Sequence, residues 1–218
     1  LINSLQGKFI PLSHSFHPGR INAICEDSCK FVWVAGEEAI YRIALNVTEE
    51  YSENNDKLMS SGPFHNIICD SSGNIYSVGK NGMYLLDKSI NKFVKISSPY
   101  YSWYSGTRQI LYHRAEHSIY LSDEKVFAKY IIDKKEWKII STEMGIGGQS
   151  MLHHSNNLVI VSDARINLTS TTFYNCNNNE IIKTNFVCGI SMIDFSDEEI
   201  LFGSWRDGIN IYNFKNNS

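Results

Sequence analysis

Asp27, Asp70 and Asp194 each follow an apolar run, and recurring carboxylates are what acid–base cleavage of a glycosidic bond would use. That chemistry needs two carboxyl groups within about 5 to 9.5 Å, one of them with a raised pKa. Here the acids come one per repeat, each at a polar turn such as Asp70-Ser71-Ser72-Gly73, where an Asp bonds its own backbone. They read as turn formers. His153-His154 suggests a metal, but neighbours on a strand point to opposite sides and cannot share one ion. His113 and His117 flank a turn and do not share a helical face. The five cysteines, Cys25, Cys29, Cys69, Cys176 and Cys188, are odd in number and scattered, which fits neither a disulfide framework nor a zinc ribbon. Gly145-Ile146-Gly147-Gly148 precedes a strand, not a helix, so it is no phosphate loop. Neither a metal nor a cofactor is expected.

The elements that would position these groups are strands. Short runs rich in Ile, Val, Tyr and Phe alternate with turns, helical periodicity is scarce, and the chain reads as all-β. One phrase occurs five times: an apolar run, a polar turn, a second apolar run, a small loop and a third. Its clearest copy runs from Asn66-Ile67-Ile68-Cys69-Asp70 through Asn74-Ile75-Tyr76-Ser77-Val78-Gly79 to Met83-Tyr84-Leu85-Leu86-Asp87. Aligning Asp27 with Asp70 places Arg114, His154 and Asp194 in the same column, at steps of 43, 44, 40 and 40 residues. Six residues on, the column reads Trp33, Tyr76, Tyr120, Ile160, Ile200.

A period of about 40 to 45 residues with several short strands marks propeller blades of four strands each. Fourth strands are expected at Lys92–Ile96, Glu136–Ile140 and Ile181–Lys183, and the last copy stops after its third strand, Ile209–Asn213. The repeats span 13–60, 61–100, 101–142, 143–185 and 186–218, with residues 8–12 as a closing strand. Five copies make either a complete five-bladed ring or an arc of a seven-bladed one.

In a propeller the loops entering each first strand share one side with the turns between second and third strands. That side collects Arg20, His65, Tyr101, Trp103, Tyr104, Arg108, Trp205 and Arg206, which are the candidate ligand-binding residues. Aromatic faces stack on sugar rings while forked donors and acceptors meet hydroxyls, so the run from Tyr100 to Arg108 suits an oligosaccharide. The competing explanation is packing of the same aromatics between blades or against another domain.

Phe202-Gly203-Ser204-Trp205-Arg206-Asp207-Gly208-Ile209-Asn210-Ile211-Tyr212-Asn213, with the Asp-turn-aromatic strand of the earlier copies, resembles the regulator-type propeller repeat of periplasmic sensor regions. These belong to bacterial, Bacteroides-type hybrid two-component histidine kinase/response regulators. The central copies depart from the motif: His153-His154-Ser155-Asn156-Asn157 lacks its Asp and Gly, and Asp163-Ala164-Arg165 replaces its small-Gly ending. The resemblance implies a non-enzymatic, periplasmic sensing portion of an inner-membrane protein, with the kinase in other parts of the full protein. It also implies an oligosaccharide signal, control of glycan-utilisation genes and self-association with another sensor chain. Trp205 falls at the motif's own aromatic position, so packing explains it as well.

Composition narrows the alternatives. Over 218 residues, 20 Lys plus Arg against 23 Asp plus Glu leave a net charge of -3, without the basic surplus that nucleic acid requires. No apolar run approaches the roughly 18 residues that cross a bilayer, so membrane contact is expected only through other segments. The chain reads as a soluble, processed or excised piece. Two rival classes stand beside the sensor. A five-bladed glycoside hydrolase or lyase would place carboxylates on the inner strands, where Asn22, Asn66, Gln109 and Ser150 stand instead. A ligand-free protein-interaction scaffold would not respond to sugars.

Overall fold

The β-branched and aromatic runs fold as antiparallel strands, and among the described residues there is no helix. The computed structural model describes residues 2–3, 8–9, 19–44, 47–55, 57, 62–97, 109–123, 126–142, 150–155, 157–165, 168–184, 191–203 and 208–216. A short ribbon pairs β1 (Ile2–Asn3) with β2 (Lys8–Phe9). The first sheet then runs in order through β3 (Ile21–Glu26), β4 (Val32–Gly36), β5 (Ile40–Ala44) and β6 (Val47–Tyr51). The second holds β7 (Phe64–Cys69), β8 (Ile75–Gly79), β9 (Gly82–Asp87) and β10 (Lys92–Ile96). The third holds β11 (Gln109–His113), β12 (Ser118–Ser122), β13 (Phe127–Ile131) and β14 (Glu136–Ser141). The fourth holds β15 (Ser150–His154), β16 (Leu158–Arg165), β17 (Leu168–Asn175) and β18 (Glu180–Thr184). The fifth has three strands among the described residues, β19 (Ser191–Ser196), β20 (Glu199–Gly203) and β21 (Ile209–Asn213). Repeated meanders of this kind are blades. Of the expected closing strand, residues 8–12, Lys8–Phe9 pairs with Ile2–Asn3, and residues 10–12 lie outside the described residues.

The chain divides into two units, Leu1–Ser77 with Tyr84–Lys95, and Val78–Met83 with Ile96–Ser218. In the first, Trp33, Ala35, Ile40 and Tyr51 of the first sheet meet Phe64, Ile67, Ile75, Tyr84, Leu86 and Phe93 of the second. Trp33, Tyr51 and Phe93 form its aromatic centre, with centroids 5.4 to 6.1 Å apart and Phe93 edge-on to both others. Around its rim, Glu49 holds Arg42 Nη2 at 2.6 Å, accepts from Asn91 Nδ2 at 2.7 Å and pairs with Lys57, while Tyr51 donates to Asn91 Oδ1 at 2.8 Å. Partial burial pushes the Glu49 carboxyl up, but these donors and Arg42 outweigh it and hold it below its ordinary range. In the second unit, Tyr120 and Phe127 meet Val159, Val161, Tyr174 and Cys176 between the third and fourth sheets. Ile160 and Phe173 meet Ile200, Phe202 and Tyr212 between the fourth and fifth.

The first hairpin of each blade shows why the repeat is real. Lys30, Gly73, His117 and Asn157 all have positive φ, and each donates its amide to the carbonyl three residues back, at Asp27, Asp70, Arg114 and His154. The aligned column is therefore one structural position in four copies. The fifth departs from it. Asp194 stays inside β19, the register shifts between Asp194 and Ser196, and Asp197-Glu198 makes the turn. Phe214 N donates to Glu198 O at 2.8 Å, as Cys176 N does to Asn157 O and Ile132 N to His117 O. Leu201, not Ile200, is thus the counterpart of Tyr120 and Ile160. A shift of one residue exchanges the two sides of a strand, and Ile200-Leu201-Phe202 is apolar at every position, so alternation could not reveal it.

Candidate functional site

In the first unit, the loop entering the first sheet, the turn between its second and third strands, and the loop entering the second sheet come together. At Gly62 an added Cβ would fall 1.9 Å from Glu37 O, so no side chain fits there. At Gly19, whose φ is +62°, a Cβ would come within 3.3 Å of Glu37 Oε2. Asn22 Nδ2 donates to Phe64 O at 2.8 Å and ties β3 to its neighbour β7. Arg20 is exposed on the bend leading into β3, and His65 is half-buried as the second residue of β7. Both therefore stand at the starting end of adjacent first strands. Glu37 and Glu38, both exposed, join them. These two were not singled out from the sequence, although the placement of second-to-third-strand turns on the entry side was the signal that could have found them. Tyr101, Trp103, Tyr104, Arg108, Trp205 and Arg206 lie outside the described residues.

The acids of the repeat column are spent on turns. Asp27 Oδ1 accepts from the amides of Cys29 and Phe31, and its Oδ2 accepts from Trp33 Nε1 at 2.8 Å. Asp70, nearly buried, accepts from the amides of Ser72 and Asn74 and from Asn74 Nδ2. Neither has an oxygen left over for acid–base work.

In the second unit the first strands β11, β15 and β19 run beside one another and gather the histidines. His113 is fully buried, its Nδ1 accepts from Glu116 N at 3.2 Å, and its Nε2 has no hydrogen-bond partner among the described residues. The His153 ring stands edge-on to it, with centroids 4.3 Å apart, and its Nε2 also lacks a partner among the described residues. Burial, then the neighbouring His113, lower the His153 pKa below the ordinary histidine value. His154 turns the opposite way. Its Nδ1 lies 2.7 Å from Asp194 Oδ1, its Nε2 lies 3.2 Å from Asp197 O, and Phe214 stacks on the ring at 4.5 Å. An Asp–His pair acts as a base only when the far nitrogen faces a reacting proton. Here that nitrogen is held by a backbone carbonyl, so the pair joins two sheets. Among the described residues, no group of three or more His, Cys, Asp or Glu side chains could hold a metal ion.

No family model and no curated protein matches the chain in sequence. In fold it is similar to the extracellular domain of BT4673 from B. thetaiotaomicron, described with one structure as a one component system and with another as a hybrid two component system. The TM-score is 0.77 at 13% identity, over 92% of this chain and 28% of that one. A second such extracellular domain, BT3049 from the same organism, matches with a TM-score of 0.52 at 11% identity, over 92% of this chain and 34% of that one. A catalytically inactive virginiamycin B lyase from Staphylococcus aureus, in complex with quinupristin, matches with a TM-score of 0.70 at 12% identity, over 97% of this chain and 76% of that one. The chain thus spans about a third or less of these two extracellular domains, and it shares its fold of repeated four-stranded blades with them and with the lyase.

Proposed function

We propose that this chain is the ligand-sensing propeller portion of a periplasmic sensor region in a hybrid two-component signalling protein, with no enzymatic activity of its own. The observation that carries the reading is the likeness in fold, over 92% of the chain in each case, to extracellular domains described as those of hybrid two component systems. The signal is an oligosaccharide. In the first unit Arg20, His65, Glu37 and Glu38 supply donors and acceptors at the starting end of the first strands, and the aromatic residues of the Tyr100 to Arg108 run are stacking groups expected from the sequence alone. A bound glycan would favour one packing of paired sensors, and that differential affinity would bias a kinase across the inner membrane and so control glycan-utilisation genes.

The test is the melting temperature of the purified chain against a panel of plant, host and microbial oligosaccharides. A ligand at a hundred times its Kd adds about 2.7 kcal/mol of apparent stability, a shift of about 5 to 11 °C for a chain of this size. A response to one glycan class that disappears in Trp103→Ala or Arg108→Ala is the expected result. Cooperative melting with no response to any member would overturn the sugar assignment.

A second reading is a lyase, favoured by the fold likeness over 76% of the virginiamycin B lyase chain. The tied ring nitrogens of His154 and the spent carboxylates of Asp27 and Asp70 count against it. Turnover of quinupristin by this chain would decide for it.

A further inference from the structure

Cys25 and Cys69 stand on β3 and β7, the two first strands that run side by side in the first unit. Cys25 is directly paired with Trp33, whose ring lies in the core between the first and second sheets, so its side chain points the same way, toward the second sheet. Cys69 packs against the same core from the second sheet. Both are partly buried, and both are free thiols.

The hairpin turns that follow them hold the two strand ends together. A Cβ added at Gly73, in the turn after Cys69, would fall 3.1 Å from Ser28 Oγ, in the turn after Cys25, so the two turns are in contact. The Ser28 N–H donates to the Cys69 sulfur, and that thiol donates to Asp70 O at 3.4 Å. Toward the other end, Asn22 Nδ2 ties β3 to Phe64 O. The strands are thus fastened on both sides of the thiols. Electrostatics agree with that placement. Burial first, then Cys69 and Asp27, push the Cys25 thiol up to about 12. Burial first, then Asp70 and Asp27, push the Cys69 thiol up, while the Ser28 amide and Lys88 favour its thiolate. Cys29 is exposed on the turn itself, outside this core.

We propose that Cys25 and Cys69 form a redox-controlled disulfide that staples the first strand of the first blade to that of the second. The oxidant is itself a disulfide. The Cys69 thiolate attacks one of its sulfurs and releases the other as a thiolate; the Cys25 thiolate then attacks Cys69 Sγ and releases the second. Two protein thiols and one disulfide become one protein disulfide and two thiols: two electrons pass to the oxidant, and its departing thiolates take up the two protons. β3 follows Arg20 directly and β7 carries His65, so a bond at the far ends of these strands fixes the spacing of the pair at their starting ends. The proposal does not depend on the sensor reading.

The test is oxidation of the reduced, folded 218-residue chain in glutathione buffers of graded oxidised-to-reduced ratio. Remaining thiols are then alkylated, and peptides cut after Glu26, which separates Cys25 from Cys29, are read by mass spectrometry. The expected result is a Cys25 peptide linked to a Cys69 peptide, in the unaltered chain and in Cys29→Ser alike. The melting temperature should rise by about 5 °C or more over the reduced chain, because a bridge closing so long a loop constrains the unfolded state. Reduction with dithiothreitol reverses the rise while keeping every side chain, so the comparison holds even where a cysteine variant folds poorly. In Cys69→Ala, Cys25 stays a thiol. Glutathione on Cys29 with Cys25 and Cys69 left as thiols at the most oxidising ratio, a bridge from Cys69 to Cys29, or a Cys25–Cys69 bridge that does not raise the melting temperature overturns the proposal.

Discussion

His154 Nδ1 lies 2.7 Å from Asp194 Oδ1, so the fully buried imidazole of the fourth sheet is held by a carboxylate of the fifth. The second ring nitrogen reaches Asp197 O, and Phe214 stacks on the face. Asp194 is partly exposed, and the cost of removing it comes from the buried nitrogen it leaves unpaired. Asp194→Ala should lower stability by about 1 to 2 kcal/mol in urea unfolding. In a double-mutant cycle with His154→Phe, the coupling should reach about 0.5 kcal/mol or more. Additive effects would mean that the pair does not join the sheets.

The His113–His153 contact makes stability depend on pH. Burial and the His113 ring lower the His153 pKa in the folded state, whereas the unfolded chain titrates near 6.5. The unfolded state then binds more protons as pH falls, so the stability is present above about 6.5 and is lost as pH drops through and below that value. A hydrogen bond to Asn157 and the charge of Asp194 oppose that shift without cancelling it, while the neighbouring His154 adds to it. Urea midpoints should fall between about pH 7 and pH 5, a range in which other side chains seldom titrate. His153→Phe should flatten that slope, and an unchanged slope in the variant would assign the effect elsewhere.

Thiol reactivity should follow burial. Cys29 is exposed, whereas burial, with Cys69 and Asp27 nearby, pushes the Cys25 thiol up to about 12. Cys176 is buried and also raised, first by burial, although Tyr120 donates to its sulfur at 3.2 Å. The thiolate is the reactive form, so limited alkylation near pH 8 should modify Cys29 first and reach Cys25 and Cys176 only after denaturation. Mass spectrometry of the native protein reads this directly. Labelling of Cys176 as fast as Cys29 would contradict the packing between the third and fourth sheets.

The blades were legible because each must bury two sides of a sheet, which forces large apolar residues to recur at fixed offsets from a polar turn. Asp27 and Asp70 showed their role for the same reason: an Asp opening a tight turn has its backbone donors supplied within four residues. What could not be read are the contacts between residues a whole repeat apart. His113 meets His153, and His154 meets Asp194, across 40 residues each, and nothing local in either partner announces the other. The candidate ligand site is similar. Arg20 and His65 were placed by loop geometry, while Glu37 and Glu38 join them only because Gly19 and Gly62 let three loops approach closely.

The last blade separates the two alignments by measurement. If Ile200 stood in the column of Tyr120 and Ile160, its side chain would lie on the uncovered side of the fifth sheet and Leu201 would face the fourth. The observed shift at Asp194 reverses them: Ile200 is fully buried against Ile160 and Phe173, and Leu201 is half-buried on the open side. Ile200→Ala should therefore cost about 2 to 4 kcal/mol, the usual range for a large-to-small change in a packed core. Leu201→Ala, measured at concentrations where the chain is monomeric, should cost less than about 1.5 kcal/mol, because that side chain has little to lose. The order of the two effects, not their size, decides the register. A larger loss at Leu201 in the monomer would restore the uninterrupted column and place Asp194 in the turn with Asp27 and Asp70.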